Sequence, residues 1–239
     1  MYVIKRKRIC LILIALLLGI FVYSYEGTKI NLDEKTQITT ATPVSGKVIV
    51  VDAGHGVPDE GAQSSRGTTE AETNLKISVK LQNLLEQSGC TVILTRSDEN
   101  AIYDLDKTTL REKKISDIRN RVKIGNSSSA DLFVSIHLNK IPQQQYWGWQ
   151  CFYNSKNEKS INLAKKIQSN LNESIQKENK RVAMKLDTVY IMKHVELPIS
   201  IVECGFLSNP EEEQQLLDDE YQNKLAWGIF NGIIEYFNE

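Results

Sequence analysis

The 239-residue chain contains only three histidines. Two of them, His55 and His137, close β-branched apolar runs, "VIVVDAGH" and "DLFVSIH", and a carboxylate, Glu203, closes a third, "ISIVE". A single histidine in such a place is usually a hydrogen-bonded structural residue. Two at equivalent strand ends, each with a carboxylate near, point to zinc. Catalytic zinc takes three ligands from His, Glu, Asp or Cys and keeps one position open for water. The segment "GTTEAETNL" offers Glu70 and Glu72 as the third ligand. Two positions apart on a helix they diverge by about 200°, so they cannot both face one ion. Counting back from the apolar stripe Ile77, Leu81 and Leu84 through Asn74 leads to Glu70, whereas Glu72 shares the outward phase of Lys76 and Asn83. Glu70 is therefore the expected ligand and Glu72 a solvated residue. An unpaired carboxylate at the end of "ISIV" would be costly to bury. Two readings of Glu203 stand: it is held by backbone amides of the following "CGFLSN", or it is a general base beside a metal-activated water.

The elements that must position these groups alternate in type. Strands are expected at Val48–Asp52, 90–96, 131–137, 149–154, 188–192 and 199–203. Helices are expected from about Glu70 to Ser88, with Gly89 ending the first, and from Leu110 to Ser127. A third carries Ala164, Ile167, Leu171 and Ile175, a short one opens at Pro210 with acidic residues in its first turn, and the last carries Leu225, Ile229, Ile233 and Tyr236. Apolar strands alternating with amphipathic helices predict one α/β domain: a twisted, largely parallel mixed sheet of about six strands with helices on both faces. Functional groups in such sheets collect just beyond the strands' carboxyl ends, where His55, His137 and Glu203 are expected.

Residues 1–24 combine the basic cluster Lys5–Arg8 with an apolar run from Ile9 to Tyr23, the pattern of an export signal or membrane anchor. The run is short of the ~20 residues of a full span, and Val22 and Ser24 match a cleavage site poorly, which favours an anchor. Residues 25–46 are polar, Thr-rich and aperiodic, a flexible tether that reaches roughly 70 Å when extended. Residues 47–239 form the catalytic domain, which the leader places outside the cytoplasmic membrane. With 29 basic against 30 acidic residues and no basic stripe beyond the leader, nucleic acid is excluded as a partner. Cys90, Cys151 and Cys204 are odd in number and scattered, which is no disulfide framework; Cys90 and Cys204, in apolar strands, read as buried free thiols.

"DAGHGVPDEGA", "GTTEAETNL", "LTR", "RNRVKIGN", "FVSIHLN" and "VECGFLSNPEEE" stand in the order and spacing of the zinc-dependent N-acetylmuramoyl-L-alanine amidases of bacterial cell walls, the amidase_3 type, which the chain resembles over essentially all of 47–239. The resemblance implies one Zn2+ per chain held by His55, Glu70 and His137, with Glu203 as the catalytic carboxylate. It also implies peptidoglycan as substrate and hydrolysis of the amide joining the lactyl group of N-acetylmuramic acid to L-alanine of the stem peptide. Ala53 stands where the family more often has proline. His194 lies outside the motifs and reads as a surface loop residue; Arg96 and Arg121 could bind peptide carboxylates or form structural ion pairs. The interval between His137 and the helix near Ser160 is too short for a helix that would block the zinc, and no wall-binding repeats are found. That layout resembles the germination-specific amidases of endospore formers, which strip peptides from cortex peptidoglycan so that muramic-δ-lactam can form. A vegetative wall amidase is the nearest rival; a zinc exopeptidase and a non-catalytic wall-binding regulator are the alternatives from other classes. Tyr146, Trp147 and Trp149 either pack on the core, stack on sugar, or form an exposed patch. On the last reading, an exported, membrane-associated protein would dock there and activate the enzyme.

Overall fold

The computed structural model describes residues 14, 16–23 and 42–238. In chain order its elements are β1 (Val48–Ala53), α1 (Glu70–Gln87), β2 (Thr91–Leu94), α2 (Leu110–Ser127), β3 (Leu132–Asn139), β4 (Gln150–Tyr153), α3 (Glu158–Ile175), β5 (Met184–Lys185), α4 (Tyr190–His194), β6 (Ile199–Phe206), α5 (Pro210–Leu217) and α6 (Asp219–Phe237). They build one α/β domain on a six-stranded sheet of order β2-β1-β3-β6-β4-β5. The first four strands in that order run parallel, β4 is antiparallel to β6, and β5 runs parallel to β4.

Side chains alternate across a strand, and both faces of this sheet are covered. Ile49, Val51, Leu132, Val134, Ile136, Val202 and Cys204 pack beneath α1, α3 and α6, whose stripes are Ile77, Leu81 and Leu85, then Leu163, Ile167 and Leu171, then Leu225, Ile229 and Ile233. The alternate residues Val50, Phe133, Ile199 and Ile201 meet Val122 of α2 with Ile191, Met192 and Val195 in and beside α4. The helices start where their caps dictate. Thr69 accepts the Glu72 amide, Thr109 forms a capping box with Glu112, and Asn209 accepts from Glu211 and Glu212 with Pro210 behind it. Cys90, Cys151 and Cys204 are free and buried.

Three expectations need correction. The segment 188–192 is not a strand: Tyr190–His194 is a short helix, and the edge strand is Met184–Lys185, paired with Phe152 and Tyr153. "TVYIM" is rich in β-formers, but Ile191 and its neighbour Met192 are buried in one cluster with Val195, and adjacent residues share a face on a helix turn and not on a strand, so tertiary packing decides. Second, β3 and β6 run past His137 and Glu203 to Asn139 and Phe206, with a register shift just beyond the His137–Glu203 pair. Third, the compact unit reaches back before residue 47. Val44 is fully buried in the larger core cluster, and the Thr42 hydroxyl donates to the Ser88 carbonyl at 2.6 Å. Residues 25–41 of the expected tether lie outside the described residues.

Residues 14 and 16–23 form a separate unit of exposed apolar helix. Among the described residues no helix is long and apolar enough to cross a membrane.

Candidate metal centre and active site

β1 ends at Ala53, and the chain turns sharply through Gly54 and His55. His55 adopts φ 62°, the left-handed region that few residues other than glycine visit. Two buried arginines hold it there. Arg121 of α2 donates to the carbonyls of Ala53 at 2.7 Å and His55 at 2.5 Å, and to Asp52 Oδ1 at 2.6 Å, while Asp117 grips the same guanidinium from one helical turn away. Arg96 donates to the carbonyls of Ala53, Gly54 and Ala71. Both guanidiniums spend their donors on the protein, so they shape the turn rather than reach for substrate. Burial alone would raise the Asp52 carboxyl, but Arg121, Ser135 and Thr95 together hold it below the ordinary carboxylate range.

The glycine before His55 makes room for the second histidine: a Cβ on Gly54 would lie 2.3 Å from His137 Cε1. Gly61, at φ 70°, likewise lets the loop pass 2.6 Å from Glu70 Oε2 by the same measure. Glu70 is the first residue of α1 and is buried; Glu72 is exposed and pairs with Lys76 at 2.7 Å, as the helix phase requires. Asn74, one turn on, is buried and donates to Gly54 O and Glu70 Oε1.

His55, Glu70 and His137 each present a ligand atom, and all three atoms lie within 4.8 Å of one another. Glu70 Oε1 is 3.3 Å from His55 Nε2 and 2.9 Å from His137 Nδ1, and its other oxygen accepts the Ala62 amide at 2.8 Å. Burial works against a charged His55, but the hydrogen bonds and charges of Asp59 and Glu70 outweigh it and raise the metal-free imidazole to about 9. Two imidazoles and one carboxylate, with no thiol among them, are a donor set suited to a divalent ion of the zinc type.

Glu203 pairs in register with His137 across β3 and β6 and lines the same cavity of about 350 Å³ as His55 and His137. Its Oε2 is shut off from solvent and meets no hydrogen-bond partner, so the reading of a carboxylate held by backbone amides does not hold for that oxygen. Burial raises the group to about 7, with His137 opposing and Glu70 adding to the shift. An orphaned, proton-ready carboxylate beside a cluster of metal donors fits the second reading of Glu203. Ile118, Leu186, Val189, Ile191 and Ile201 supply an apolar part of the cavity lining.

Asp59 was not assigned a role from sequence, although it stands four residues after His55; its Oδ2 is 3.1 Å from His55 Nδ1. His194 is not a loop residue but ends α4, exposed and stacked on Tyr190 at 3.9 Å. The aromatic segment forms no exposed patch. Trp149 is fully buried with its Nε1 on Asn172 at 2.8 Å, Trp147 packs against the core under Lys177, and Tyr146 alone is exposed. No helix lies between Asn139 and Glu158, so the cavity has no blocking element from that interval.

The sheet with a three-donor cluster at its strand ends is the fold of an α/β amidase, and residues 49–235 match the family model of N-acetylmuramoyl-L-alanine amidases, Amidase_3. The chain belongs to that family, whose enzymes act on peptidoglycan. It is 37% identical over 197 residues to the germination-specific N-acetylmuramoyl-L-alanine amidase of Bacillus subtilis (strain 168), covering 82% of each chain. The structure of the CwlD amidase from Clostridioides difficile in complex with the GerS lipoprotein matches with a TM-score of 0.79 and 42% identity, over 81% of this chain and 99% of that one. The catalytic domain of CwlV from Bacillus (Paenibacillus) polymyxa var. colistinus matches with a TM-score of 0.68 and 31% identity, over 80% and 98%.

Proposed function

We propose that the chain is a zinc metalloamidase of peptidoglycan in which His55, Glu70 and His137 hold one Zn2+ and Glu203 is the catalytic carboxylate. The observation that carries this reading is the convergence of those three donors within 4.8 Å beside the unpartnered Oε2 of Glu203. When bound, zinc supplies Lewis acidity toward the scissile carbonyl and toward water. The rest falls to the protein. Glu203, poised near neutrality, takes a proton from the attacking water and returns it to the amine of L-alanine as the C–N bond breaks. The apolar wall of Ile118, Val189 and Ile201 keeps bulk water from the reacting groups. The products are a glycan bearing free muramic acid carboxyls and a stem peptide with a free L-alanine amine.

The test is mass spectrometry of purified peptidoglycan after incubation with metal-loaded protein. Intact stem peptides beginning with L-alanine are expected; single amino acids would instead mark an exopeptidase. Chelation should abolish the release and zinc restore it.

The setting we infer is the spore cortex, outside the cytoplasmic membrane, with the N-terminal segment serving as signal or anchor. Similarity to the germination-specific Bacillus subtilis enzyme supports the cortex role. The GerS lipoprotein bound to the Clostridioides difficile relative supports an exported, membrane-associated activator for this chain also. With Trp149 fully buried and Trp147 half-buried against the core, the aromatic segment offers no continuous exposed patch as its docking site. Muramic-δ-lactam should be missing from spores that lack the protein; its normal presence there would reassign the enzyme to the vegetative wall.

A further inference from the structure

Resting on the zinc reading above, we propose that Asp59 is a positioning residue of the metal centre: it fixes the His55 ring with the proton on Nδ1 and the lone pair of Nε2 turned toward the ion. A neutral imidazole has one N–H and one lone pair, and the partner of one nitrogen decides which is which. His55 Nδ1 faces Asp59 Oδ2 at 3.1 Å, while Nε2 points the other way, 3.3 Å from Glu70 Oε1. An ionised carboxylate only accepts, so the Asp59 contact keeps a proton on Nδ1, and Nε2, which faces the fellow donor Glu70, is the nitrogen that gives up its proton when the ion enters.

Asp59 is itself held firmly. Its Oδ1 takes the Lys114 ammonium at 2.9 Å and the Gly61 amide at 3.4 Å, and its backbone exchanges both hydrogen bonds with Gly56, at 2.9 and 2.8 Å. The peptide of His55 is pinned from the opposite side by Arg121. His55 is thus clamped at its carbonyl and at Nδ1, and of the two carboxylates on its ring only Asp59 lies outside the donor cluster. His137 is set differently: its ring lies against Gly54 and its Nδ1 meets Glu70 directly, and among the described residues no outer carboxylate bonds to it. The two histidines are therefore unequal, and the orientation of His55 depends on one side chain that is not itself within the donor cluster.

Asp59→Asn keeps the size and an acceptor oxygen but adds an amide donor that can face Nδ1. This allows the proton to settle on Nε2, the tautomer that cannot ligate through Nε2. Zinc affinity is measured on the full-length protein by competition with a chromophoric chelator, with His55→Ala as reference. The expected loss for Asp59→Asn is ~10–100-fold, the usual effect of removing a ligand's outer partner, and His55→Ala should lose at least as much. Wild-type affinity in Asp59→Asn while His55→Ala is impaired would overturn the positioning role and leave the metal site standing. Wild-type affinity in His55→Ala would instead overturn the metal site. Long-range 1H–15N correlation spectra of the zinc-loaded wild-type protein need no variant to fold: they should show His55 metallated at Nε2 and protonated at Nδ1, and metal on Nδ1 sinks the proposal.

Discussion

At the residue scale, the choice between Glu70 and Glu72 is the sharpest case of chemistry read from periodicity. The stripe through Ile77, Leu81 and Leu84 fixes which side of α1 is inside, and Glu70 is buried while Glu72 pairs with Lys76 in solvent. Glu70→Ala is expected to strip zinc and Glu72→Ala to retain it, as metal content by mass spectrometry would show; the reverse outcome would discard the phase argument. Glu203→Gln preserves shape but removes the proton acceptor. It should keep the fold and the metal while turnover on peptidoglycan falls ~10²–10⁴-fold, the usual share of general acid–base catalysis; near-normal turnover would assign the base elsewhere. Other residues were not legible in this way. Arg96 and Arg121 donate to carbonyls of Ala53, Gly54 and His55, and no spacing in a sequence tells which distant carbonyl a guanidinium will find. Asp59 was missed for a related reason: on a turn rather than a helix, four residues of separation imply no shared face.

At the element scale, long periodic segments declared themselves and short ones did not. α1 has nearly the bounds its apolar stripe predicts and α2 those expected of its Arg- and Lys-rich segment, since a helix of five turns averages over local exceptions. At α4 a single turn of β-branched and aromatic residues is overruled by the sheet face it must cover. A buried ion pair joins α2 to β1, with Arg121 locked to Asp52 at 2.6 Å. Arg121→Met should cost about 3–5 kcal/mol, since it leaves a buried carboxylate uncompensated, and urea denaturation would read the loss. The sign with pH follows from the depressed Asp52 carboxyl. Its contribution is fully present above the ordinary aspartate range and is lost as pH falls through the lower folded value. Acid titration should therefore narrow the gap between wild type and variant; a gap that widens in acid would refute the assignment.

At the scale of the whole molecule, α/β class, strand number and two-sided helical cover all follow from alternation of apolar runs, because a parallel sheet must be buried on both faces. The start of the compact unit was less legible. "TPVSG" reads as linker, being short and rich in turn formers, yet Val44 is fully buried in the core and receives the Cys90 thiol on its carbonyl at 3.2 Å. A chain starting at Lys47 should be less stable than one starting at Ala41 by about 2–3 kcal/mol, the worth of one buried valine with its hydrogen bonds. Thermal denaturation of the two would measure it, and equal midpoints would return residues 42–46 to the tether.

The three buried thiols make this sheet a clock. A thiol reagent consumes only the thiolate, and burial pushes Cys90 up to about 11 and the other two higher still. Labelling then waits on opening of the fold. Cys90, next to the Val44 turn, times fraying of the sheet's entry, whereas Cys151 and Cys204, on the adjacent strands β4 and β6, time the opening of its middle. With Cys10 of the leader replaced, the interval between the Cys90 label and the other two is a direct reading of how far local loosening runs ahead of global unfolding.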